Sequence, residues 1–373
     1  MAAPSIAKIS KRDVQEDIFI ATQWTLMWRK FRKHKLAMAG TAVVVFFYLI
    51  AIFSEFIATQ DPLKRNSDFV FVPPQGIHFV SPTNGLGLYI YGLKQTEDPV
   101  NWKRIYVEDT NLEVPLSFFV TGDPYLMWGF IPGNIHLIGV PADVQFFPFG
   151  TDDSGRDVYS RIIHGIRVSM SIGLVGVAFT FILGSVLGAI SGYYGGVVDF
   201  AIQRIIEFIL SMPAIPLWMA LSAAVPKEWP PTQVYFMISI ILSLIGWCGL
   251  ARVVRGKMLE IREEDYISAA RLAGASDAVI IFDHMLPGFI SYLIVNLTLS
   301  IPSMILAETS LSFLGVGLRP PAISLGVLLQ QAQNVRTIAL QPWLMVPGLV
   351  IFFVVLAFNF MGDGLRDAAD PYK

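Results

Sequence analysis

Six stretches of this chain are each about as long and as apolar as a lipid bilayer demands of a crossing helix. A helix rises about 1.5 Å per residue, so roughly 20 mostly apolar residues cross the hydrocarbon layer. The stretches run Leu36–Ile57, Val168–Ile190, Ile205–Val225, Val234–Ala251, Gly288–Ala307 and Pro342–Phe360, and the second holds no charged residue. Only 15% of the 373 residues are Asp, Glu, Lys or Arg, against roughly 25% in soluble domains. These features predict an all-α polytopic membrane protein of about six transmembrane helices. The first stretch follows a polar segment with eight Lys and Arg in 35 residues. It is too long for a signal-peptide core and no small-residue cleavage site follows it, so it is read as a retained span.

Lys and Arg in the short flanking segments set the orientation. Arg29, Lys30, Arg32, Lys33 and Lys35 precede the first span, and Arg252, Arg255, Lys257, Arg262 and Arg271 lie between the fourth and fifth; the opposite short loops carry only Lys227, Arg319 and Arg336. Both termini are therefore expected in the cytoplasm. The division that follows is a cytoplasmic segment 1–35, a first span 36–58, an external insertion 59–166, a membrane domain 167–362 with a cytoplasmic loop 251–287, and a cytoplasmic tail 363–373. The insertion has Pro/Gly punctuation at Pro73-Pro74-Gln75-Gly76 and Thr121-Gly122-Asp123-Pro124. Between these lie runs such as Phe69-Val70-Phe71-Val72, Leu88-Tyr89-Ile90-Tyr91 and Ile105-Tyr106-Val107. This pattern predicts short strands, in a small β-containing domain or an irregular cap over a pore mouth.

The chemistry of an enzyme is absent. A phosphate-cradling loop needs G-x-x-x-x-G-K-[ST], and the nearest look-alike, Gly249 to Met258, has Ala251 and Met258 at discordant positions. The five His residues are scattered, and no catalytic, cofactor or metal constellation emerges. The single Cys248 rules out an internal disulfide or a multi-cysteine metal site, and no basic stripe with interleaved aromatics suggests nucleic acid. Gly184, Gly188, Gly192 and Gly196 are spaced by four, which lets a neighbouring helix approach closely. Glu207 and Glu308 lie in or near spans, where a carboxylate faces protein or water because its charge is costly in lipid. With Asn296 and Ser300 they are the candidate lining of a translocation path, or helix-to-helix hydrogen-bonding groups. Pro213, Pro216 and Pro302 free backbone groups inside spans and predict kinks.

The segment Asp265 to Pro287 is the most informative. Asp265 to Ala273 are good helix formers, Gly274 suits a left-handed C-terminal cap, and Ser276 or Asp277 can open a second helix. Pro287 restricts Leu286 and is expected to end it. The result is a rigid protrusion of two short helices. This loop resembles the EAA motif of ABC importer permeases, with Ala269, Ala270, Gly274 and Pro287 at matching positions and Ser268 where the motif often has Glu. Gly150 to Asp157, Leu311 to Pro321, Phe358 to Asp367 and the basic entry Trp24 to Lys35 resemble the C-type subunit of the peptide-type (Dpp/Opp) subfamily. Ser324-Leu325-Gly326 departs from it, lacking a Trp before the Gly. The resemblance implies a non-catalytic permease that pairs with a homologous second permease. It implies two cytoplasmic ATP-binding subunits docking on Ala269, Ala270, Gly274, Ser276, Asp277, His284 and Pro287, and an external solute-binding protein delivering cargo. That cargo would be peptides, or nickel chelates, opines, glycosides or muropeptides. The rival outside this class is a channel or secondary transporter working without ATPase partners.

Overall fold

Backbone crosses lipid only where it satisfies its own hydrogen bonds, as a helix does. The computed structural model describes residues 23–81, 85–97, 104–141 and 144–369; most of the expected N-terminal cytoplasmic segment and the last four residues lie outside these. Helix α1 (Gln23–Lys33) leads into α2 (Lys35–Ile52), and α3 (Ser54–Ile57) adds one turn after a break at Phe53. The bundle resumes with α4 (Val158–Tyr194), α5 (Gly196–Leu210), α6 (Ala214–Ala223) and α7 (Pro231–Ile261). Then come α8 (Asp265–Leu272), α9 (Asp277–Val279), α10 (Ile290–Phe313), α11 (Leu325–Gln330), α12 (Val335–Leu340) and α13 (Val346–Ala369). Five helical stretches are long and apolar enough to cross a bilayer, and the bent pair α5–α6 makes a sixth.

Helix α4 is the axis of the bundle. Gly184, Gly188 and Gly192 let α7 approach it: a Cβ at these positions would stand 2.8 Å from Leu250, 2.5 Å from the Ala251 carbonyl and 2.6 Å from Met258. Gly196 lies outside this stripe, opening α5 at φ +54 with no neighbour near its missing Cβ. On the other side of α4, Ile162, Ile166 and Met170 pack with Val44 and Phe47 of α2, Ile305 of α10 and Val354 and Phe358 of α13.

Several boundaries depart from the hydropathy reading. Helix α4 begins at Val158, ten residues before the expected Val168, because Arg161 and Arg167 hide its apolar character while making ion pairs of their own. The third span is broken by 86° between α5 and α6. Pro213 causes this, since a proline disfavours helical backbone in the residue before it. Helix α7 runs ten residues past Ala251, so the loop expected over 251–287 is shorter. Pro287 does not end the second short helix. The chain continues through a π stretch (Ile280–Met285) and a 3-10 stretch (Leu286–Phe289) into α10, and the change of pitch accommodates the missing N–H. The expected tail 363–373 is helical as far as Ala369 and packed, with Gly364 close against Ala37.

The insertion folds as two antiparallel pieces, a three-stranded sheet of β1 (His78–Ser81), β2 (Gly85–Glu97) and β3 (Arg104–Pro115), and a separate hairpin of β4 (Ser117–Met127) and β5 (Ile131–Gly139). The runs at Leu88–Tyr91 and Ile105–Val107 fall in strands. Phe69 to Val72 do not. They form turns, with Phe71 at φ 55 and its N–H donated to the Asp152 carbonyl.

Candidate functional site

The end of α8 shows why Gly274 stands where it does. Its N–H donates to the Arg271 carbonyl at 3.0 Å, and the Ala275 N–H reaches back to the Ala270 carbonyl at 3.1 Å. This paired closure is the Schellman arrangement, which needs the residue after the helix cap in the left-handed region, and Gly274 has φ +80. Nothing lies within 4 Å of its missing Cβ, so the demand for glycine is conformational and not steric.

The helix pair formed around this cap has two apolar faces. Inward, Ile267, Ile280, Ile281 and Met285 pack with Val254 and Met258 of α7 and Ala189 of α4. Outward, Leu272 is 90% exposed, with Tyr266 and Phe282 about half exposed beside it. Of the residues expected here, Ala269, Gly274, Ser276, Asp277, His284 and Pro287 are exposed and Ala270 is half-buried. Asp277 anchors the pair to the end of α4, accepting from the hydroxyls of Tyr193 at 2.7 Å and Tyr194 at 3.2 Å. Arg271 lies 5.2 Å over the Tyr193 ring, and Arg262 donates to the Tyr193 carbonyl. A bidentate pair of Arg255 with Asp199, at 2.5 and 2.6 Å, ties α7 to α5 nearby.

The four candidate path residues do not form one cluster. Glu207 is exposed on α5 and pairs with Arg204 at 2.6 Å. Asn296 and Ser300 lie on α10, their side chains donating to the Tyr292 and Asn296 carbonyls of the same helix. Glu308 is fully buried and accepts from Ser169 of α4 at 3.0 Å and Ser312 of α10 at 2.8 Å. Ser169 also receives the Leu325 N–H, and Ser312 the Leu318 N–H. Glu308 thus joins α4, α10 and the segment leading into α11, which is the helix-to-helix bonding alternative.

The far end of α4 carries a second group that the apolar pattern did not reveal. Asp152 is fully buried, with its carboxylate bonded by Arg156 Nε at 2.8 Å, by Arg161, and by the N–H groups of Ser154 and Arg156. Asp157 caps the helix by accepting from the Tyr159 and Ser160 N–H groups. Glu55 of α3 is bonded by Arg167, one contact measuring 2.5 Å. The Gly150–Asp157 motif pointed to this end but not to partners that lie outside it. Tyr193 and Tyr194 had a signal too, as aromatics closing a charge-free span. Among the described residues no group of His, Cys, Asp and Glu is placed to hold a metal.

The family model for binding-protein-dependent transport system inner membrane components matches residues 184–372, and that for the N-terminal transmembrane domain of oligopeptide transport permease C matches 22–74. The dipeptide transport system permease protein DppC of Haemophilus influenzae is 31% identical over 346 residues, which cover 92% of this chain and 93% of that protein. The glutathione transport system permease protein GsiD of Pectobacterium atrosepticum is 38% identical over 60% of this chain and 71% of its own. An inward-facing structure of the MetNI methionine ABC transporter aligns at a TM-score of 0.44 with 19% identity, over 56% of this chain and 95% of that one.

Proposed function

The chain belongs to the inner membrane components of binding-protein-dependent transport systems, and on that premise we propose that it forms half of the translocation pathway of an ABC-type importer for peptides or related small solutes. A homologous second permease completes the pathway. Two cytoplasmic ATP-binding subunits dock on the outward face of α8 and α9, and an external solute-binding protein presents the cargo. Both termini and the α8–α9 pair lie in the cytoplasm, and the insertion 59–166 lies outside, where it meets the binding protein or caps the pore mouth. Glu207, Asn296 and Ser300 face the pathway, and Glu308 fixes the helices around it.

The observation that carries this reading is Leu272, 90% exposed on a capped helix pair whose opposite face is packed into the bundle. An apolar surface presented on a rigid support fits a partner protein. Peptide cargo is supported by the relatives named for dipeptide, oligopeptide and glutathione transport. The test is reconstitution of the whole complex in proteoliposomes, with uptake of labelled dipeptides and ATP hydrolysis measured together. Uptake should require ATP and all subunits, and loaded binding protein should stimulate hydrolysis. Uptake by vesicles holding this chain alone, without ATP, would show a channel or secondary transporter instead.

A further inference from the structure

The two β pieces of the insertion have opposite chemistry. From Gly85 to Glu113 eight residues are Asp, Glu, Lys or Arg, whereas from Val114 to Ala142 Asp123 alone is. The second piece also holds two backbone outliers. Three non-glycine residues among those described have positive φ, and two of them, Phe119 (φ 57) and Trp128 (φ 58), lie in the β4–β5 hairpin. Left-handed backbone crowds a Cβ and costs about 1 kcal/mol or more, so it persists where surrounding contacts impose it.

Those contacts lie at the end of the first membrane helix. The Trp128 indole N–H donates to the Ile52 carbonyl at 3.1 Å, and its backbone N–H points to Glu55 at 3.4 Å. Its ring lies 5.8 Å from the Arg167 guanidinium. The Phe119 ring is 6.1 Å from that of Phe56, and His136 Nδ1 is 2.6 Å from the Ala58 carbonyl. The hairpin is therefore pinned from Ile52 to Ala58. Ile52 is the last residue of a span whose Leu49 and Ile52 are exposed, as is Phe53 just beyond it. The closed end of the hairpin, which Trp128 joins to Ile52, exposes Leu126, Phe130 and Ile131, Phe130 to 73%.

We propose that the closed end of the β4–β5 hairpin, carrying Leu126, Trp128, Phe130 and Ile131, seats in the outer interfacial layer of the bilayer as a lipid anchor beside α2. Three observations select lipid as the occupant. The apolar end is joined to the end of a membrane-spanning helix by Trp128 on the Ile52 carbonyl. Trp128 sits at the level where that span's apolar run stops, which is where Trp concentrates in membrane proteins. The tip itself carries no charge to desolvate, and the nearest charges, Glu55 and Arg167, neutralise each other. The charged β2–β3 sheet is left to face water. This inference rests on α2 crossing the bilayer and not on the importer reading.

The test places single nitroxides on the full-length chain with Cys248→Ser, in nanodiscs of phosphatidylcholine and phosphatidylglycerol. The sites are Leu126→Cys, Phe130→Cys, Lys94→Cys on β2, and Leu49→Cys as a reference for lipid. Collisions with dissolved oxygen, which concentrates in lipid, are compared with those of a water-soluble nickel chelate. Oxygen should exceed nickel at 126 and 130 as it does at 49, with the reverse at 94. Nickel exceeding oxygen at 130 would place the tip in water, free to meet a soluble binding protein, and overturn the proposal. Exclusion of both reagents there would place it against another protein subunit and overturn it equally. ATP and the partner ATPases do not enter the measurement, so its failure is distinct from failure of the transport reading.

Discussion

Helix α4 is held at both ends, by different means. At the Val158 end the ties are charges, buried where Asp152 meets Arg156 and Arg161 and partly exposed where Glu55 meets Arg167. At the Tyr194 end they are phenol hydroxyls on an exposed carboxylate, Tyr193 and Tyr194 on Asp277, and the Ser191 hydroxyl on Asp199, whose partner Arg255 is 32% exposed. A buried ion pair is costly to break because the surviving charge is stranded without water. A hydroxyl bonded to an exposed carboxylate loses little, because water replaces it. The Val158 end is therefore expected to be the costlier of the two to break.

The largest expected effect breaks the Val158 end. Asp152→Ala leaves Arg161, which is 2% exposed, without its carboxylate, and loss of one partner of a buried pair costs about 3–5 kcal/mol. The variant should melt well below the parent in detergent and accumulate poorly in membranes. Asp152→Asn keeps the shape and should fall between. A near-parental melting temperature for Asp152→Ala would show that this end is not fixed by charge.

The next effect concerns coupling without loss of fold. At Gly274 any side chain meets open space, so the cost of Ala is the φ of +80 alone, about 1 kcal/mol. Asn and Asp tolerate left-handed backbone better than Ala. Gly274→Asn should therefore retain most substrate-stimulated ATP hydrolysis, Gly274→Ala less, and Gly274→Asp almost none, because it adds charge to the docking face. All three should insert and assemble normally. Full stimulation with Gly274→Asp would remove α8–α9 from the coupling route. A smaller effect is expected of Tyr193→Phe, which deletes one hydrogen bond worth about 1 kcal/mol. Hydrogen exchange should speed up in residues 265–289 and stay unchanged near Asp152; equal change at both ends would erase the distinction between them.

Little of this contrast was legible in the sequence, although the frame around it was. Runs of apolar residues located five unbroken helices and the bent third stretch, and Gly274 announced its left-handed backbone because no other residue type adopts it so readily. The limits had physical causes. Hydropathy counts Arg161 and Arg167 as water-seeking, so it began α4 ten residues late; the carboxylate that pairs with Arg161 precedes the helix, and that of Arg167, Glu55, is more than a hundred residues away. Pro213 and Pro287 look alike in sequence, yet one accompanies an 86° break and the other is absorbed by a change of helical pitch. Glu308 read equally well as a path lining or a helix tie, because Ser169, one of the hydroxyls that bind it, is 139 positions distant.

The smallest expected effect separates charge from burial at the outer end. Asp123 accepts from Lys64 Nζ at 2.8 and 3.0 Å, and from the Asp61 N–H. Its side chain is 29% exposed and that of Lys64 48%, so this tie lacks the shelter that Asp152 has. Desolvation acts to raise the Asp123 carboxyl, but the Lys64 bond and the Asp61 N–H prevail and hold it below its ordinary value of 3.8. An acid depressed in the folded state stabilises the fold above its unfolded pKa, and that stabilisation disappears as pH falls through the lower, folded value. The tie should therefore contribute equally at pH 7 and pH 5 and fade below about pH 4. With solvent screening it is worth less than about 1 kcal/mol. Asp123→Asn should accelerate hydrogen exchange in residues 117–139 modestly at pH 7, with the difference from the parent closing under acid conditions and shrinking in high salt. An effect on the scale of Asp152→Ala would mean that the β4–β5 hairpin is held to the bundle by this one exposed pair, and that burial is not what distinguishes the strong ties from the weak.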